Sequence, residues 1–318
     1  MAVYTHLGAE ELAQLIGAYD VGELVSAKGI AEGVSNSNWL IETTRGRYVL
    51  TMYERRIETG DLPFFLGLLD HLSEHGCAVP RTIHDHAGAA YRMVDGKAVA
   101  LIEFLPGVSP TLPTAAQSRA VGAALAKIHL AGLEFAAERA NPLDAGFNCS
   151  ELEHTDPAAL ASIDPAMPAT VAMARQVSRD WPRDLPQSII HSDLFPDNVL
   201  MLGDEVTGMI DFYFACSDAM AYDLAVTHAA WCFDKRGETY KPDLGRALLE
   251  GYESIRPLEP RERHELSLLA QGACLRFVAS RTEDWLDTPP DALVTRKDPM
   301  DFVRRWLFYA EKGREAFA

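Results

Sequence analysis

Apolar positions along the chain change their spacing near residue 105. On either side of Arg45-Gly46, over Val34 to Thr43 and Tyr48 to Tyr53, β-branched and aromatic residues sit between polar ones, which predicts a hairpin. Leu62 to His75 puts Phe65, Leu68, Leu69 and Leu72 at helical spacing and stops at Gly76. Tyr91 to Val94 and Ala98 to Phe104 predict two further strands, joined at the favoured hairpin dipeptide Asp95-Gly96. Past a connector at Leu105-Pro106-Gly107 the period lengthens. Ala115 to Leu130 carries Val121, Leu125 and Ile128 on one helical stripe, and residues 131–187 mix short helices with Ala- and Pro-rich loops. Ile189 to Asp211 is a block of short strands and turns, followed by predicted helices near 222–234, 243–254, 262–281 and 299–317. There is no internal repeat and no low-complexity tract. The expected fold class is α+β, with a small β-rich lobe over residues 1–104 and a larger, mainly helical lobe over residues 105–318.

Composition narrows the partners. With 318 residues, 48% hydrophobic and 24% charged, the chain is long enough for two packed lobes and has ordinary globular content. Its formal charge of -17 argues against a nucleic-acid partner, which normally needs a basic face. That charge leaves room for a nucleotide, whose one phosphate chain needs only a few local donors and a metal. Met1 to Leu15 lacks the basic and apolar regions of a signal peptide, and no apolar run reaches the roughly 18 residues of a membrane span. Cys77, Cys149, Cys216, Cys232 and Cys274 are odd in number, scattered and without CxxC spacing. Neither a disulfide framework nor structural zinc is expected, and a reducing cytoplasm fits.

The chemistry is concentrated in one block. Ile190-His191-Ser192-Asp193-Leu194-Phe195-Pro196-Asp197-Asn198-Val199-Leu200 holds His-x-Asp, then four residues, then Asn. Leu202-Gly203-Asp204 makes a turn, and Val206 to Ile210 returns as a strand ending in Asp211-Phe212. A hairpin brings its ends together, so Asn198 and Asp211 are expected as neighbours, with Asp193 on the loop just before. Phosphoryl transfer needs an acceptor held in line and divalent metal on the phosphates. Asp193 is placed to orient a hydroxyl and take its proton. Magnesium keeps several waters and prefers oxygen, so Asn198 and Asp211 suffice as its protein ligands. His191 organises the loop rather than acting as a base. The bland alternative, a polar loop with Asn and Asp in turn hydrogen bonds, leaves the spacing and the terminal Asp unexplained.

This block resembles the catalytic loop and metal-binding segment of protein-kinase-like enzymes, in particular the aminoglycoside phosphotransferase and choline kinase group. Gly29 to Asn38, Tyr48 to Glu54, Asp61 to Phe65, Asp223-Leu224-Ala225, Leu275-Arg276-Phe277 and Ser280-Arg281 extend the likeness over nearly the full chain. Within the group these stretches resemble bacterial homoserine kinases. The resemblance implies a protein-kinase-like two-lobed fold, ATP and Mg2+ as cofactors, and a small-molecule alcohol, L-homoserine, as substrate. It implies nucleotide contacts from Gly33, Ser35, Asn36, Ser37 and Asn38, and adenine held by the backbone from Glu103 to Leu105. It implies that Asp223 braces the catalytic loop. Homoserine presents a carboxylate and an ammonium; Arg276 and Arg281 are the candidate forks for the first, and Asp218, Tyr213 and Trp231 for the second.

One position departs from the pattern. Protein kinases carry a lysine in a Val-Ala-Ile-Lys strand, and aligning Tyr48-Val49-Leu50-Thr51 with it puts Thr51 in that place. Lys28, Arg47 and Arg55 are the nearby cations, and the phosphate grip is expected to move to the 33–38 loop. Bland readings stand beside these assignments: turn formation for the Ser and Asn residues, core for Phe104 and Trp231, structural salt bridges for Arg276 and Arg281, and a helix N-terminal carboxylate for Asp223. Choline, ethanolamine, an aminoglycoside or a sugar are the alternative acceptors. A catalytically inactive nucleotide-binding module would be expected to lack Asp193, Asn198 or Asp211.

Overall fold

A computed structural model describes residues 7–30, 36–54, 58–288 and 296–318. The chain divides into two compact units: residues up to Val108 with Leu200–Leu202 and Thr207–Tyr213, and Ser109–Val199 with Gly203–Val206 and Phe214–Ala318.

The first unit opens with α1 (Ala9–Ile16), whose Leu12, Leu15 and Ile16 fall on one buried face. Its mixed-order antiparallel sheet contains β1 (Leu24–Ile30), β2 (Asn36–Thr43) and β3 (Arg47–Tyr53). After α2 (Leu62–Glu74) come β4 (Thr82–Ile83), β5 (Arg92–Val94) and β6 (Lys97–Glu103). The sheet order is β1-β2-β3-β6-β4, with β5 paired to β6. Side chains alternate across a strand, and both faces of this sheet are covered. Trp39, Ile41, Leu50, Met52, Val99 and Leu101 pack with α1, while Tyr53, Ala98, Ala100 and Ile102 pack with Leu62 and Leu66 of α2. Gly107 has φ 141°, and a Cβ there would lie 2.9 Å from Met201 N, so the connector after β6 needs glycine to lie this close to the backbone.

The second unit is built on α3 (Ala115–Gly132), α4 (Ala145–His154), α5 (Pro157–Ile163) and α6 (Thr170–Asp180). A short strand β7 (Gln187–Ile190) precedes the His191–Asn198 loop; β8 (Val199–Leu202) and β9 (Glu205–Met209), which follow it, form a two-stranded ribbon most of which belongs to the first unit. β10 (Cys216–Ala219) returns to pair with β7, Cys216 opposite Ile190. The chain continues through α7 (Met220–Trp231), α8 (Pro242–Glu253), α9 (Pro260–Asp287) and α10 (Met300–Ala316). α7 is buried on nearly every side and α9 along much of its length, which makes them the unit's central supports. All five cysteines are buried and unpaired with one another. Among the described residues no helix is long and apolar enough to cross a membrane.

Candidate active site

In the first unit, strand register sorts the β1–β2 residues by face. Residues opposite one another in an antiparallel ladder point the same way, and chain neighbours point oppositely. Asn36 pairs with Tyr53 and Asn38 with Thr51, so these four share the face that packs Tyr213 and α2. Ser37 pairs with Met52 on the α1 face. It is fully buried, its hydroxyl donates to Glu54 at 2.7 Å, and Glu54 in turn is paired with Lys97. A period of two turns the Ser37 side chain to the face opposite those of Asn36 and Asn38, so the three side chains do not share one side. Gly33, Ser35 and Arg55 lie outside the described residues.

The Thr51 face carries a neutral polar network. Thr51 Oγ1 donates to Asn38 Oδ1 at 2.8 Å, and the Tyr53 and Tyr213 hydroxyls meet at 3.4 Å. Burial raises both phenols, Tyr53 to about 12, and the Asp211 carboxylate pushes in the same direction. Asp211 follows β9 at φ 67°, a left-handed conformation uncommon for a residue with a side chain. Among the described residues Asn36 Oδ1 has no hydrogen-bond partner, and it is buried. Lys28, opposite Leu40, and Arg47, at an odd position of β3 like Thr51, belong to this same face by register. Arg47 lies over the Phe104 ring at 4.7 Å. Glu103 is held by Arg81: its N–H donates to the Arg81 carbonyl at 2.9 Å, and its carboxylate accepts from Arg81 N at 3.2 Å. Leu105 packs over Gly208, where an added Cβ would come within 2.7 Å of it.

In the second unit the His191–Asn198 loop is held by buried polar groups. Asp223, in the first turn of α7 and fully buried, accepts from His191 N at 2.7 Å, Ser192 N at 2.7 Å and His129 Nε2 at 3.0 Å. Burial alone would raise its carboxyl, but the bond from His129, the charges of His129 and His191, and the backbone N–H groups outweigh burial and hold it below the usual carboxylate range. The support runs deeper: Tyr252 bonds His129 Nδ1 at 2.8 Å, Arg256 donates to Tyr252 at 3.3 Å, and Arg256 pairs with the buried Glu262 at 2.9 Å. Asp223 thus takes loop N–H groups rather than those of its own helix. His191 Nδ1 accepts from Asp193 N at 3.2 Å, which makes the imidazole part of the loop's frame.

Asp193 itself is partly exposed, its side chain at 18%. Asn198 Nδ2 donates to Asp193 O at 2.8 Å and to Asp193 Oδ2 at 3.3 Å, so the amide nitrogen faces Asp193 and its Oδ1 is turned elsewhere. Pro196 starts the 3-10 turn that delivers Asn198 to β8. An amide oxygen and a carboxylate are hard donors of the kind magnesium takes.

The expected acceptor residues fare unequally. Trp231 is 1% exposed and donates from Nε1 to Leu194 O at 2.9 Å, so it is core beneath the loop and not a pocket wall. Arg281 pairs with Asp301 at 3.0 Å and donates to Asp298 O at 2.9 Å. Arg276 is 2% exposed and its guanidinium is engaged by Ser192 and Asp193. Both arginines are thus engaged by groups of this chain, Arg281 through Nη1 and Arg276 through both terminal nitrogens. Asp218 sits on β10, its carboxyl raised by burial, and accepts from Asn141 at 2.7 Å. His129 and Ser192 escaped the sequence analysis. The available signal for His129 was a polar residue at the end of an apolar helical stripe.

The sequence profile of the phosphotransferase enzyme family matches residues 26–258. Solved structures share the fold at low identity. An amicoumacin kinase in complex with AMP-PNP, Ca2+ and Ami aligns with a TM-score of 0.71 at 11% identity, over 97% of this chain and 94% of that one. Spectinomycin phosphotransferase with ADP and its antibiotic gives 0.67 at 16% identity, over 95% and 94% of the two chains. The fold is that of protein-kinase-like phosphotransferases. Among curated relatives, homoserine kinase of Methylobacterium radiotolerans is 47% identical, covering 98% of this chain and 97% of its own. That of Sinorhizobium fredii is 48% identical over 97% and 94%. The chain belongs to the homoserine kinase family of phosphotransferase enzymes.

Proposed function

We propose that the protein is an ATP-dependent homoserine O-kinase, transferring the γ-phosphoryl of ATP to the hydroxyl of L-homoserine. The observation that carries this reading is the near-full-length identity to homoserine kinases, joined to a buried frame built around Asp193. Asp193 is the general base: its carboxylate orients the acceptor hydroxyl and receives its proton as the oxygen attacks. Asn198, besides steadying Asp193, and Asp211 are the proposed oxygen ligands of magnesium. When bound, the metal neutralises charge on the phosphates. Asn36 and Asn38 of β2 are the proposed nucleotide-facing side chains, Gly33 and Ser35 of the β1–β2 connection are proposed to meet the nucleotide with them, and Glu103 to Leu105 offer backbone to the adenine. Asp218 is the proposed partner of the acceptor's ammonium. The five buried thiols suit a reducing cytoplasm.

A panel of homoserine, serine, threonine, choline and kanamycin with Mg-ATP tests the assignment. ADP release with homoserine far above the rest is expected; turnover confined to another member would transfer the reading to that acceptor.

A further inference from the structure

Arg276 lies mid-way along α9 between Leu275 and Phe277, inside a helix that is buried on this stretch. A cation so placed must find acceptors. Its Nη1 donates to the Ser192 carbonyl oxygen and, at 2.7 Å, to Ser192 Oγ. Its Nη2 is 3.7 Å from Asp193 Oδ1. The Phe214 and Phe277 rings each lie 5.0 Å from the guanidinium carbon, which restricts its plane.

Ser192 stands at φ 66°, a strained conformation for serine. Its N–H is held by Asp223 and its carbonyl by Arg276. Both ends of the residue before Asp193 are therefore fixed, and one guanidinium reaches the peptide and the carboxylate together. Lysine offers three donors on a single nitrogen and cannot span two such sites in one plane.

We infer that Arg276 is a positioning residue for Asp193, holding the strained Ser192 peptide and the carboxylate in register, and not a fork for the acceptor's carboxylate. This rests on the reading of Asp193 as the base. The two roles for Arg276 separate kinetically. Loss of positioning lowers kcat and leaves substrate affinity; loss of a substrate fork raises the acceptor KM.

The experiment compares Arg276→Lys, Arg276→Met and Ser192→Ala with wild type, scoring turnover per nucleotide-binding site so that unfolded protein does not count. Arg276→Met is expected to lose about 10²-fold in kcat, as a misplaced reacting group does, with acceptor KM within about threefold. Arg276→Lys should recover part of that loss, and Ser192→Ala, which keeps the charge beside Asp193, should lose about tenfold. Should Arg276→Met not fold, the other two decide. An acceptor KM raised more than kcat is lowered would make Arg276 a substrate fork, and wild-type turnover per site in every folded variant would make it scaffold; either result overturns the inference. If the wild-type enzyme turns over a different member of the acceptor panel, the same ratios are read with that acceptor, so failure of the homoserine reading stays distinct from failure of this one.

Discussion

Asp223 is where a single residue carries most of the site's order. It takes two loop N–H groups and His129 in a place without water access. Asp223→Ala leaves those donors buried and unpaired, and the expected loss is about 3–5 kcal/mol of stability, read as a lowered urea midpoint. The spacing of His191, Asp193, Asn198 and Asp211 singles these residues out in the sequence. Their partners are not legible there, because His129, Tyr252 and Arg276 arrive from helices far along the chain. Arg276 stood out as a cation among apolar neighbours, yet nothing local said whether its partner was a substrate or Ser192. Ser37 is a different case. Strand alternation alone would have turned it away from Asn36 and Asn38.

Helix packing sets the next level. α3 and α8 meet backbone to backbone: a Cβ on Gly122 would lie 2.1 Å from Leu248 O, and one on Gly251 2.0 Å from Arg119 O. Main chain cannot yield as a side-chain tip can. Gly122→Ala is expected to cost about 1–3 kcal/mol or more, seen as a lowered melting temperature. Because α8 also carries Tyr252, which holds His129, turnover should fall with it. α7 and α10 meet at His228, whose Nδ1 is 2.6 Å from the Tyr309 hydroxyl. Burial pushes this imidazole from 6.5 down to about 3. A folded-state value below the unfolded one means the unfolded chain binds the extra proton first, so this contribution is present above pH 6.5 and is lost as pH falls toward 3. His228→Asn, which cannot titrate, is expected to flatten the decline in urea midpoint over that window.

Elements with their own period were readable, and those defined by distant pairing were not. Phe65, Leu68, Leu69 and Leu72 located α2, and Asp95-Gly96 located the β5–β6 turn, where Asp95 and Gly96 both take positive φ. β10 is four residues long and exists through its pairing with β7, so no local signal marks it. α1 too carries helical spacing, at Leu12, Leu15 and Ile16.

For the whole molecule, the block from His191 to Asp211 points to a phosphotransferase. The acceptor is harder to read from sequence, since one methylene between homoserine and serine is worth only about 1–3 kcal/mol in a pocket. The most direct measurement is phosphorus NMR of homoserine and Mg-ATP incubated with wild-type and Asp193→Asn protein. Wild type should form one phosphomonoester of homoserine for each ADP, and Asp193→Asn should bind ATP as well while forming product about 10²–10⁴-fold more slowly. Release of inorganic phosphate in place of the ester, or an undiminished rate in Asp193→Asn, would contradict the account.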